Sequence, residues 1–155
     1  MKSTSVWLMA VLAVASFLVA GCEQVYATTG EAAIRRDGDT LLIGTCGQLD
    51  IEAITVSGRY GEIDFLSRTE RFVTLYGHAE FDDGNIYRVG QSVDGMDVLD
   101  TMPVDFQGLS KIHVAVSSRV PPHNPLFQVW DVHSSGIPET GWLSPDGTVT
   151  NQPCG

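Results

Sequence analysis

Three histidines fall ten residues apart, at His113, His123 and His133, and His78 stands earlier in the chain. Imidazole nitrogen suits zinc. Two of the three fall in strand-like segments and one in the loop between them, so their convergence on one metal ion is geometrically open. None has the i, i+2 or i, i+4 partner that usually marks a metal motif, so surface or hydrogen-bonded histidines are the plainer expectation. Oxygen ligands are more plentiful. The turns Asp37-Gly38-Asp39, Asp82-Asp83-Gly84-Asn85 and Asp94-Gly95-Met96-Asp97, with Asp100 beyond, carry carboxylates that calcium accepts. They lack the alternating ligands and closing Glu of an EF-hand loop, and Asp or Asn beside Gly is also what a tight turn requires. A G-x-S-x-G elbow, an H-E-x-x-H helix and a phosphate-cradling glycine loop are absent, so no motif implies a reaction or a cofactor.

One loop has the composition of a contact surface. Arg119-Val120-Pro121-Pro122-His123-Asn124-Pro125-Leu126 joins two strand-like segments and holds three prolines in five positions. Proline stiffens the backbone toward extended form, and a rigid loop loses little entropy on binding. Pro121, Pro122, His123 and Asn124, together with Trp142, are therefore a candidate binding surface. The competing explanation is that the prolines end strands and guard a sheet edge.

Charge narrows the partners. The formal net charge is −10, and Lys2 is the only charged side chain before position 22, so the remainder carries all 19 acids against eight bases. Nucleic acid needs a Lys/Arg surplus on some face, and the longest basic cluster is the pair Arg35-Arg36, so no nucleic-acid partner is expected.

The N-terminus has its own organisation. Met1 to Ser5 is polar with one Lys, Val6 to Ala20 is an apolar run without charge, and Gly21-Cys22 follows. This is the order of an n-region, an h-region and a cleavage site. An apolar stretch of about 15 to 17 residues falls short of the ~20 that cross a bilayer comfortably, so a removed signal is expected rather than a retained anchor. Leu18-Val19-Ala20-Gly21-Cys22 resembles the lipobox of bacterial lipoproteins, in which a branched apolar residue and two small ones precede a Cys. The resemblance covers only this segment. It implies removal of residues 1–21, thioether lipidation of Cys22 with acylation of its new amino group, and a membrane partner through that lipid. An ordinary secretory cut after Val25-Tyr26-Ala27 is the alternative, and it would release a soluble chain.

With Cys22 assigned to the lipobox, Cys46 and Cys154 remain as an even pair. Outside the cytoplasm two such thiols are expected to be oxidised together, stapling the tail to the domain; both staying reduced is the alternative. Zinc ligation by the pair is weaker, for want of a C-x-x-C spacing.

The elements that position these groups are read from period two. Glu23 to Gly30 shows no hydrophobic period and reads as part of a lipidated tether over residues 22–30. Beyond it, Ala33–Arg35 and Leu41–Ile43 flank an Asp-Gly-Asp turn and predict a hairpin. A long strand starts at Leu49, with a bulge near Ala53, and closes at Gly58 and Gly61. Phe72–Tyr76 and Ile86–Val89 predict a second hairpin about the Asp82–Asn85 turn. Ile112, Val114 and Val116 share one face of a further strand, and Phe127–Val132 repeats the pattern. No segment of a dozen residues beyond the signal holds a 3.6-residue apolar period free of Gly or Pro.

One all-β domain over residues 31–155 is therefore expected, a small antiparallel β-sandwich or open barrel with little helix. Its expected role is a non-enzymatic binding or structural module of the cell envelope, exported and lipid-anchored to the membrane, with an envelope protein or glycan as partner. An envelope enzyme, such as a metal-assisted hydrolase using His113, His123 and His133, and a small-ligand carrier are the alternatives.

Overall fold

Alternation of apolar and polar residues resolves into ten strands and one short 3-10 turn, Ser134–Gly136, in a computed structural model that describes residues 32–61, 68–106, 108–120 and 124–153. In chain order the strands are β1 (Ala32–Asp37), β2 (Thr40–Thr45), β3 (Leu49–Tyr60), β4 (Arg68–Phe81), β5 (Ile86–Arg88), β6 (Met96–Thr101), β7 (Leu109–Val120), β8 (Asn124–His133), β9 (Trp142–Leu143) and β10 (Val149–Thr150). They form two five-stranded sheets, ordered β10-β9-β1-β2-β5 and β6-β4-β3-β7-β8, in which the paired strands run antiparallel. The domain is an open all-β sandwich, not a closed barrel. No helix among the described residues is long and apolar enough to cross a membrane, and the signal segment, the tether and Cys22 lie outside those residues.

The core lies between the sheets. Ile34, Leu41 and Ile43 of the first sheet meet Ile54, Val56, Leu75, Ile112, Val114, Val116 and Trp130 of the second, all at 2% exposure or less. Trp130 also donates its indole N–H to the Leu143 carbonyl at 2.9 Å, a buried hydrogen bond from β8 to β9 that ties one sheet to the other. The β3 register breaks between Ile51 and Ala53, the bulge expected there, and β7 and β8 pair from Lys111–His133 to Val120–Asn124.

Two details depart from the sequence expectation. The Asp82–Asn85 turn does not make a hairpin of β4 and β5, because β5 pairs with β2 and the turn carries the chain from one sheet to the other. Thr45 holds that crossing: it is fully buried and donates its hydroxyl to the Asp82 carbonyl at 2.8 Å. Gly58 does not close β3, which continues to Tyr60. A Cβ at Gly58 would stand 2.6 Å from Phe72 Cε2 and closer still to Leu109, so glycine is there for packing room rather than for a turn.

The outer surfaces of the two sheets differ. Across the first sheet, Ala33, Leu42 and Trp142 form a second small apolar cluster, and the C-terminal segment packs over it: a Cβ at Gly44 would meet Pro153 Cγ at 2.7 Å and Trp142 Cζ3 at 2.9 Å. Among the described residues no segment packs over the centre of the second sheet in this way, and there Lys111 and His113 are exposed and Arg59 is half-buried.

Candidate functional site

The open face of the second sheet is built row by row from the strand register. Side chains opposite each other on neighbouring strands share a face, with Cβ atoms about 5 Å apart. The row nearest the β3–β4 end is Thr69, Arg59, Lys111 and His133 on β4, β3, β7 and β8. Next come Arg71, Ser57, His113 and Asp131, then Thr74, Thr55, Ala115 and Val129, and then Tyr76, Ala53, Ser117 and Phe127. Strand alternation alone puts these groups outward, since Ile54, Val56, Gly58, Ile112, Val114 and Val116 take the inward positions.

The first two rows enclose a groove of about 200 Å³ lined by Ser57, Gly58, Arg59, Thr69, Lys111, His113 and Asp131. In a chain of net charge −10, three cationic or protonatable side chains meet here. Arg71, beside them, holds Asp100 at 3.7 Å, and His133 Nδ1 lies 2.7 Å from the Ser135 hydroxyl. Lys111 is exposed and makes no ion pair with a described residue. Further along the face stand Tyr76, 45% exposed, and Phe127, 46% exposed, with Asp50, Glu80 and Arg119 beyond them. Tyr76 and Phe127 occupy one row with small Ala53 and Ser117 between them, three strand spacings or about 14 Å across.

His113 and His133 thus share a face, while Pro121, Pro122 and His123 lie outside the described residues; Val120 and Asn124, which bracket them, pair at the hairpin end. Among the described residues no group of three His, Cys, Asp or Glu side chains could hold a metal ion. Carboxylates of two of the acidic turns are engaged in structure: Asp83 accepts from the Gly47 N–H at 2.9 Å, and Asp37 holds Arg88 at 3.3 Å.

Trp142 is not part of a contact surface. It is 3% exposed, lies with Ala33 and Leu42, and is capped by the Arg35 guanidinium 4.8 Å from its ring centroid. The aromatic side chains that do reach solvent on the open face are Tyr76 and Phe127. Sequence reading passed over both because they sit inside ordinary strand runs. Ser57 and Asp131 were missed for a related reason: only the β3–β7–β8 register sets them on either side of His113.

Ser57, His113 and Asp131 have the residue types of a nucleophilic triad. Among the described residues no hydrogen bond joins Ser57 to His113 or His113 to Asp131, and the His113 and Asp131 side chains are exposed. A nucleophile, its base and an orienting carboxylate act through such bonds. What the face offers directly is a mixed groove of Lys111, His113, Asp131 and hydroxyl groups, with exposed rings further along.

The fold defines a class, an open antiparallel β-sandwich of two five-stranded sheets. Comparison with family models, curated proteins and solved structures finds no match to the chain.

Proposed function

We propose that the chain is an exported, lipid-anchored module of the cell envelope that binds a partner, protein or glycan, on the open face of its second sheet. The observation that carries this reading is the outer face of the second sheet, where exposed Lys111 and His113 share one surface with exposed Tyr76 and Phe127. Apolar rings left in water are costly unless a partner covers them, and exposed aromatics and Arg are typical of binding surfaces.

The anchoring part rests on Leu18-Val19-Ala20-Gly21-Cys22 and the short polar stretch after it. The first described strand begins at Ala32, opposite Thr45, and β2 passes through Cys46 into β3 at the same pole. The groove lies nine residues up β3 from Asp50, about 30 Å from that pole. Val120 and Asn124, which bracket the proline loop, lie at the same pole as the start of the first described strand.

We also propose that Cys46 pairs with Cys154. The Cys46 sulfur is engaged rather than a free thiol, and Pro153, the residue before Cys154, packs against Gly44, two positions before Cys46 on the same side of β2.

Intact mass and fractionation test the anchor. The mature chain is expected to start at Cys22, carry several hundred daltons of lipid and sediment with membranes, and Cys22→Ser is expected to leave the membrane fraction. A soluble chain beginning at Thr28 refutes the tether. A hydrolase is the second reading, favoured by the Ser57–His113–Asp131 row alone. It predicts covalent labelling of Ser57 by a fluorophosphonate, and an unlabelled protein removes it.

A further inference from the structure

A sheet that does not close has edges, and at each edge strand every second residue points its backbone N–H and C=O away from its one neighbour. The sandwich has four such strands, β10 and β5 in the first sheet and β6 and β8 in the second. Three are guarded. β10 has two residues and β5 three, too short to hold a partner strand. β6 has six, with a register shift opposite Thr74/Leu75 and the carboxylates of Asp97 and Asp100 along it. β8 differs. Its ten residues, Asn124–His133, pair with β7 without a register shift. Past Pro125 at its start it contains no proline and no lysine, and Asp131 is its only carboxylate. Among the described residues β7 is the only strand beside it.

We infer that β8 pairs edge to edge with β8 of a second copy of the chain, antiparallel about a two-fold axis, joining the two second sheets into one continuous sheet. This concerns the edge of the sheet rather than its open face, and goes beyond the reading above. Backbone donors and acceptors spaced for a strand are satisfied in full by another extended backbone, and an antiparallel copy of the same strand offers that spacing in reverse. The copy is already held straight by its own β7, so it loses less entropy on pairing than a free peptide does. Side chains favour one register. Phe127 is exposed and Val129 half-buried, both on the outer face. Placing each Phe127 opposite the partner's Val129 covers the ring with a β-branched side chain on both sides of the axis. The same register sets Asp131 opposite the partner's Pro125, so like charges do not meet. Gln128, between the two apolar residues, turns inward at 0% exposure and is engaged within its own chain, so the pairing makes no use of its side chain.

Hydrogen exchange of the full-length chain in detergent, read by mass spectrometry at about 1 and about 100 µM alongside sedimentation velocity, tests the pairing. Protection of the β8 amides is expected to rise with concentration, in step with a shift from monomer to dimer mass, while the β6 amides stay unchanged. Phe127→Lys and Val129→Lys each put a hydrated cation at the seam and should weaken association at least about tenfold, with circular dichroism unchanged. Phe127 is exposed, so its variant keeps the test open should Val129→Lys disturb the fold. Val98→Lys, on the β6 edge, should leave association as it is. Fast exchange of β8 at both concentrations means an unpaired edge, and overturns the inference. Protection that does not depend on concentration overturns it too, because a segment of the same chain then covers β8. So does a dimer that survives Phe127→Lys or is lost in Val98→Lys, since the contact then lies elsewhere.

Discussion

Replacing Trp130 by Phe removes a buried side-chain hydrogen bond that joins strand β8 of one sheet to β9 of the other. The cost has two parts. The Leu143 carbonyl loses its indole donor in a buried position, worth about 1 to 3 kcal/mol. The smaller ring also leaves about 40 Å³ unfilled beside residues that are already at or near zero exposure, adding about 1 kcal/mol at roughly 24 cal/mol per Å³. Together these destabilise the domain by about 2 to 4 kcal/mol, a large fraction of the total for a domain of this size. With a urea m-value of about 2 kcal/mol per molar, the unfolding midpoint falls by roughly 1 to 2 M. Urea titration followed by far-UV circular dichroism reads this directly, with Phe127→Ala on the open face as a control expected within about 0.5 kcal/mol of the parent. A Trp130→Phe midpoint within about 0.2 M of the parent would refute the reasoning, because a desolvated Leu143 carbonyl cannot lose its donor without cost.

Gly58→Ala is expected to destabilise by about 1 to 3 kcal/mol, since its new methyl group meets the rings and branches of Phe72 and Leu109 in the core; thermal unfolding checks it. Under the proposed pairing, Cys46→Ser costs the oxidised protein about 4 to 5 kcal/mol in the chain-entropy model, and reductant should weaken the parent while leaving the variant unmoved in a urea titration. Burial raises the Tyr87 hydroxyl above the ordinary tyrosine value, partly offset by the Gly90 N–H that it accepts at 3.2 Å. The folded state therefore favours the neutral phenol. The stabilisation is complete below the unfolded tyrosine value, about 10, and is lost as pH rises through the higher folded value. Ultraviolet titration should show Tyr87 among the tyrosinates that form late, a signal reduced in Tyr87→Phe, and that variant should flatten the loss of stability above pH ~10.

Much of the sandwich was legible because period two is local. Alternation over Leu49–Val56 and Ile112–Val116 marks which residues turn inward, and the buried set matches it, whereas in β8 polar Gln128 is buried and Phe127 exposed. Turn residues marked the Asp37–Thr40 hairpin for the same reason. Edge strand β6 was not legible. Its Val98 and Leu99 are both exposed, and a register shift at Thr74/Leu75 breaks the alternation that would reveal it. Trp142 misled because a tryptophan near a chain end carries no signal of what will pack on it; here Ala33, Leu42 and Arg35 do.

The residue pattern by itself determined that the domain is built of strands, where most of them run and which side of each is apolar, because pleat geometry links neighbouring residues to opposite faces. Only the tertiary structure decided which strands lie together: β5 beside β2, and Ser57, His113 and Asp131 in one row from segments far apart in the chain. The physical reason is that alternation specifies a face without specifying a neighbour. Pairing is settled by long-range packing of the two sheets, so any site made on the outside of three adjacent strands exists only after the core has closed.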